Sequence, residues 1–219
     1  MEIVFLFYEG MTALDAIGPH EVLCRLPGAT VRRAALRDGP IATDSDGLTL
    51  HAEYALKDVE QADLLIIPGA GSATSLTKYP EILEWVRKIH ATTTWTASVC
   101  TGSLILGAAG ILEGLPATSH WAVLDRLATW GAIPTEARIV EADKVITSAG
   151  VSAGIDMALL LAAKIAGLQT AHALQLGIEY DPEPPFDVGS PSKAHPELLK
   201  GLRMRMEARF ESIPVKNLS

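Results

Sequence analysis

A cysteine that a strand hands directly to a helix is the residue of this sequence best placed for chemistry. In Thr96-Ala97-Ser98-Val99-Cys100-Thr101-Gly102-Ser103 a strand-like run ends on Cys100 and a helical period follows at once, with small residues two positions to either side. This is the pattern of a nucleophile elbow, whose central residue is forced into a sparsely allowed backbone conformation that bulky neighbours would obstruct. Such a turn lifts the side chain into the cleft beyond the strand ends, where open α/β sheets bind ligands. It also aims the sulfur at a helix N-terminus, whose unpaired N–H groups favour thiolate over thiol. Cys100 therefore reads as a nucleophile. The other cysteine, Cys24, lies late in a helical pattern beside Leu23 and Leu26 and reads as packing.

A nucleophile of this kind needs donors for the charge that develops on its substrate. Pro68-Gly69-Ala70-Gly71 follows the apolar run DLLII, and its small residues let backbone N–H groups approach a ligand. Gly69, Ala70 and Gly71, joined by the N–H of Thr101, are candidate donors, although the same loop also reads as a simple turn. Asp15 opens a helix, where the dipole favours a carboxylate. It also follows the first strand, where it can face Cys100 and share a proton with it, and the residues alone leave both readings open. His120 either orients or deprotonates Cys100 or bonds backbone at a helix start above Trp121; these too stay open. His195-Pro196-Glu197 is similar to the His-x-Glu of class I glutamine amidotransferases, but it opens a helix from a polar loop, which Pro196 in the first turn explains. His20, His51, His90, His120, His172 and His195 show no metal-ligand spacing, and there is no Walker loop or dinucleotide fingerprint. Neither metal nor cofactor is expected.

The elements that must position these residues alternate. Short apolar runs over 2–8, 30–36, 63–67 and 94–99 read as strands, with a further short one over 48–54 and two late ones over 137–140 and 144–147. Helical periods cover 14–26, 80–90, 101–109, 121–129, 151–166 and 169–180; a Pro-rich loop over 181–195 precedes an amphipathic helix over 196–211. Alternation of this kind predicts βαβ units and a mostly parallel sheet, hence the α/β class. With no repeat and no linker, the 219 residues read as one domain, 1–219.

Composition narrows the partners. Hydrophobic residues make up 48% and aromatics 5%, so core and pocket alike are expected to be aliphatic, suited to a small apolar substrate. A net charge of -8 without any Lys/Arg cluster disfavours nucleic acid and anionic membranes. The N-terminal MEIVFLFYEG has an acidic second residue and an apolar run too short for a signal peptide or a membrane span, so a cytoplasmic protein with free thiols is expected.

At these residues the chain resembles the ThiJ/PfpI superfamily and, within it, the isonitrile hydratases. The likeness runs through 14–19 (LDAIGP), the Pro68 loop, 98–114 (SVCTGSLILGAAGILEG), 117–121 (ATSHW) and 184–191 (PPFDVGSP). It implies a flavodoxin-like three-layer sandwich, usually a homodimer, that needs no cofactor. It further implies a catalytic cysteine working with an acid from the first helix, matched by Asp15, and with the threonine that follows the cysteine, matched by Thr101. The implied reaction is hydration of a small apolar isonitrile to an N-substituted formamide. Other branches carry glutamate where Asp15 stands. The chain departs from the family in having Ala70 where two consecutive glycines are usual, and Ser119 where the hydratases have threonine. Two alternatives belong to the same scaffold: a glyoxalase-like or protein-repair enzyme, and a ligand-sensing domain as in AraC-type regulators. With only 212–219 after Glu211, no DNA-binding helices are expected there, and regulation by direct DNA contact is not expected.

Overall fold

In the structure, a computed structural model that describes residues 1–72 and 79–210, the apolar runs form the centre of a seven-stranded sheet. In chain order the strands are β1 (Glu2–Leu6), β2 (Thr30–Ala35), β3 (Gly39–Ala42), β4 (Thr49–Ala52), β5 (Tyr54–Ala55) and β6 (Leu64–Ile67). They continue with β7 (Trp95–Val99), β8 (Pro116–Ala117), β9 (Ile133–Pro134), β10 (Ile139–Ala142) and β11 (Val145–Ser148). The main sheet runs β10-β11-β7-β6-β1-β2-β5, and only β10, at one edge, is antiparallel to its neighbour. Ile3, Val4, Phe5 and Leu6 of β1 and all four residues of β6 are fully buried, because a parallel strand in this position is covered on both faces.

The helices flank this sheet. They are α1 (Ala13–Leu23), α2 (Pro80–Thr92), α3 (Gly102–Ala108), α4 (Ala153–Ala166), α5 (Leu168–Gly177) and α6 (Pro196–Phe210). α1 packs on α4 and α4 on α5, while α2 packs on α3. α2 buries Ile82, Trp85, Val86 and Ile89, the stripe its spacing predicts, and Pro80 occupies its first turn. Pro19 lies inside α1, and it lacks the N–H that would otherwise bond the Asp15 carbonyl. Among the described residues no helix is long and apolar enough to cross a membrane.

Several elements differ from their sequence reading. The short strand expected over 48–54 is two: β4 pairs antiparallel with β3, which the sequence reading did not include, as a hairpin, and Tyr54–Ala55 is a separate strand on the β2 edge. Residues Trp121–Trp130 form a 3-10 helix rather than an α-helix. The two helical periods expected over 151–166 and 169–180 are α4 and α5, divided at Gly167, whose φ of +86° an L side chain rarely adopts. The last helix, read as amphipathic, fully buries only Phe210 and leaves Leu198, Leu202 and Met204 exposed; its expected end at Glu211 lies outside the described residues.

The passage from β7 to α3 depends on one glycine. A Cβ on Gly102 would lie 2.3 Å from the Ile67 carbonyl oxygen and 2.9 Å from that of Pro68, both backbone atoms that cannot swing away. Gly102→Ala is expected to destabilise the fold by about 3 kcal/mol, as overpacking against fixed atoms does. Chemical denaturation checks this, and an unchanged midpoint would show that the β6 end yields freely.

Candidate active site

Cys100 stands between β7 and α3 with φ +58°, one of few non-glycine residues at positive φ and the strained position a nucleophile elbow requires. Its backbone is held from all sides. The N–H is shared between the Ser148 and Ala149 carbonyls, both at 3.1 Å. The carbonyl accepts from the Ser103 hydroxyl at 3.2 Å and from that of Ser119 at 3.1 Å. Ser119, a departure in the sequence, thus keeps a hydroxyl at work on the elbow.

Asp15, in the first turn of α1, is fully buried. Its Oδ2 accepts from the Gly69 N–H at 2.8 Å, whereas Oδ1 is buried without a hydrogen-bond partner among the described residues. The Cys100 thiol interacts directly with this carboxyl. Burial raises the Asp15 pKa from 3.8 to about 7; the Gly69 N–H opposes the rise, the Asp44 carboxylate adds to it, and the thiol opposes it. Thr101 sits beside them. Its hydroxyl donates to the Ala70 carbonyl at 2.9 Å and accepts from the Ala70 N–H at 2.8 Å.

Two expectations change here. The elbow was expected to favour thiolate, but burial and then the Asp15 charge push the Cys100 thiol well above its ordinary range. The N–H groups of Val151 and Thr101 pull it down without prevailing, and α3 is only seven residues long. The resting sulfur is therefore a neutral thiol beside a carboxyl that ionises near pH 7. Gly69 and Ala70, expected as donors to substrate, already have acceptors: they bracket Asp15 and Thr101. A Cβ on Gly69 would lie 2.6 Å from the Thr101 nitrogen and 2.9 Å from Asp15 Oδ2, so the close approach needs glycine. Gly71 lies farther out, against Asp44 and near Arg209.

His120 caps the 3-10 helix, its Nδ1 accepting from the Ala122 N–H at 3.2 Å. Burial lowers its pKa, so the ring is neutral with its proton on Nε2. The backbone-bonding reading of this histidine is the one realised, with Trp121 at 5.3 Å between ring centroids. It also lines a cleft of about 450 Å³ together with Trp121, Leu124, Ala137, Ala149 and Val151 and the charged Glu136 and Arg138. Cys100 is not among the lining residues, but the cleft meets the elbow through Ser119, Ala149 and Val151.

Two participants had no signal in the sequence reading. Val151 has φ +31°, uncommon for a β-branched residue, and its N–H donates toward the sulfur. Tyr8 follows β1, is buried, and lies close enough to Asp15 and Cys100 for their charges to raise its pKa further after burial has done so. Among the described residues, no three His, Cys, Asp or Glu side chains gather as a metal ion would need.

The model of the DJ-1/PfpI family matches residues 1–164. The chain belongs to this family. Isonitrile hydratase of Pseudomonas putida is 40% identical over 94% of this chain and 90% of its own length. The HTH-type transcriptional regulator CdhR of Pseudomonas aeruginosa is 31% identical over 76% of this chain, which spans only 51% of the regulator. Among solved structures, a ThiJ/PfpI family protein from Pseudomonas syringae superposes with a TM-score of 0.91 at 37% identity, covering 95% of this chain and 86% of the other. The mostly parallel sheet flanked by helices is thus the flavodoxin-like fold of the DJ-1/PfpI family.

Proposed function

We propose that the protein hydrates isonitriles, R–N≡C, to N-substituted formamides through Cys100 and Asp15. The observation that carries this reading is the fully buried Asp15 carboxyl, one oxygen held by Gly69 and the other unpartnered, beside the thiol of a strained elbow. The high identity to an isonitrile hydratase over nearly the whole of both chains supports the substrate class.

Thiol and carboxylate together hold one transferable proton. The sulfur attacks the terminal carbon of the isonitrile, and the thiol proton passes through Asp15 to that same carbon, giving the thioimidate Cys100–S–CH=N–R. Water then adds to this carbon while one of its protons reaches nitrogen through Asp15. The C–S bond breaks, the hydroxyl proton returns to sulfur by the same route, and R–NH–CHO leaves. The N–H groups of Val151 and Thr101 stabilise negative charge on sulfur as it develops and as it departs. The Thr101 hydroxyl, its proton committed to Ala70, can position water only by accepting from it. The apolar lining residues Trp121, Leu124 and Val151 take the R group, and His120 lines the same cleft. The reading extends to a homodimer, for which the exposed apolar side chains Leu168, Leu176 and Phe186 speak, and to a cytoplasmic location.

Because the reactive pair carries one proton, kcat/KM is expected to fall about tenfold per pH unit below the Asp15 value of about 7 and to level off above it. A profile flat from acid to neutral pH would contradict this. The function itself is tested by incubating the purified protein with cyclohexyl isocyanide and following N-cyclohexylformamide by chromatography. Protein-dependent formamide is the expected result. No formamide with methylglyoxal consumed instead would favour the glyoxalase-like reading, and saturable binding without turnover the sensing one.

A further inference from the structure

The carbonyl of Pro68 and the N–H of Gly69 belong to one peptide group, and that group is gripped at both ends. Its N–H donates to Asp15 Oδ2 at 2.8 Å. Its carbonyl accepts from the Tyr8 hydroxyl at 2.7 Å, a buried bond across 60 positions of sequence. We propose that Tyr8 is a positioning residue for the Asp15 acid/base, acting through the Pro68–Gly69 peptide. The inference deepens the role proposed for Asp15 and takes its meaning from that reading.

The physical case rests on how a peptide transmits polarisation. A donor on the carbonyl oxygen draws electron density from nitrogen, which makes the N–H a stronger donor, and low dielectric enhances such chains. Hence Tyr8 O–H···O=C–N–H···Asp15 supports the carboxylate form more firmly than Gly69 alone. The same bond fixes the plane of the peptide, and with it the direction from which Asp15 is held. The Gly69 carbonyl on the next peptide accepts from the Thr12 N–H at 2.8 Å, so the loop cannot easily rotate to compensate. Among the described residues, the other titratable groups that bear on Asp15 are the Cys100 thiol from the elbow and the Asp44 carboxylate from the loop after β3, while Arg209 of α6 lies farther out beside Gly71. Tyr8 alone of these groups is hydrogen-bonded to the Pro68 carbonyl among the described residues, which gives its hydroxyl a path to Asp15 that the others do not share. The phenol itself is neutral, since burial and then the nearby negative charges hold its pKa well above the ordinary value.

The test reads the titration of Asp15 without turnover, so a lack of hydratase activity and a lack of this linkage are separate results. The protein is labelled with ¹³C at the aspartate carboxyls, and the Asp15 resonance is identified by its loss in Asp15→Asn. The midpoint is then compared in the wild type, in Tyr8→Phe and in protein carrying 3-fluorotyrosine at position 8, a stronger donor of nearly the same shape. Tyr8→Phe is expected to raise the midpoint by about half a pH unit, a roughly threefold change in proton affinity. Fluorotyrosine is expected to lower it. Unmoved midpoints, or shifts of the same sign in both proteins, would overturn the inference, because altered packing alone does not reverse direction with donor strength. If Tyr8→Phe fails to fold, the fluorotyrosine protein decides by itself: a lowered midpoint supports the linkage, and an unchanged or raised one refutes it.

Discussion

Cys100→Ala is expected to reduce formamide production by about 10⁴-fold or more, to the uncatalysed background, while leaving the fold intact. The loss is large because, among the described residues, the neighbouring candidates are already engaged: Thr101 spends its hydroxyl on Ala70, and His120 spends Nδ1 on the Ala122 N–H. The fold survives because the bonds that secure the elbow, from Ser148, Ala149, Ser103 and Ser119, all end on the backbone of residue 100. Circular dichroism matching the wild type, together with lost turnover, would support the assignment. Substantial activity in the alanine protein would remove Cys100 from the mechanism.

Asp15→Asn should separate function from stability. Without a proton carrier the rate is expected to drop by about 10²- to 10⁴-fold. At the same time the protein should become more stable above neutral pH. The folded state binds the Asp15 proton more tightly than the unfolded chain, with a pKa of about 7 against the ordinary 3.8. Stability is therefore lost as pH rises through this interval and stays low above it. The interval corresponds to about 4 kcal/mol at most. Asparagine is neutral throughout, and its carbonyl oxygen can still accept from Gly69. Denaturation at pH 8 should thus show the variant ahead of the wild type, with the lead shrinking toward pH 4. Equal stability at pH 8 would mean that the carboxylate is better solvated than its burial implies.

The sequence carried the elbow clearly because its geometry restricts residue type: Gly102 has a carbonyl 2.3 Å from where a Cβ would be, and no larger residue fits without movement. The central strands were legible for a similar reason, since burial on both faces of β1 and β6 removes any polar alternation. The Pro68 loop was recognised as a set of donors but not as a bracket. Sequence shows that N–H groups are available without showing which acceptors, 31 and 54 positions away, already hold them. The charge state of the sulfur is hidden from the sequence for an allied reason. A helix N-terminus is visible in the pattern, whereas the burial that outweighs it arises only in the folded molecule. Val151 and Tyr8 were hidden more deeply. A valine at positive φ runs against its own preference, and Tyr8 looks like the end of a strand until the fold sets its hydroxyl on Pro68.

The covalent step at Cys100 is the centre of the proposed mechanism. The wild-type protein, mixed with cyclohexyl isocyanide and quenched in acid within the first turnovers, can be digested and weighed by mass spectrometry. The account predicts that the peptide bearing Cys100 gains the mass of one isonitrile, and that Cys100→Ala shows no such gain. Formamide accumulating while Cys100 stays unmodified at every quench time, with the alanine protein equally active, would contradict it.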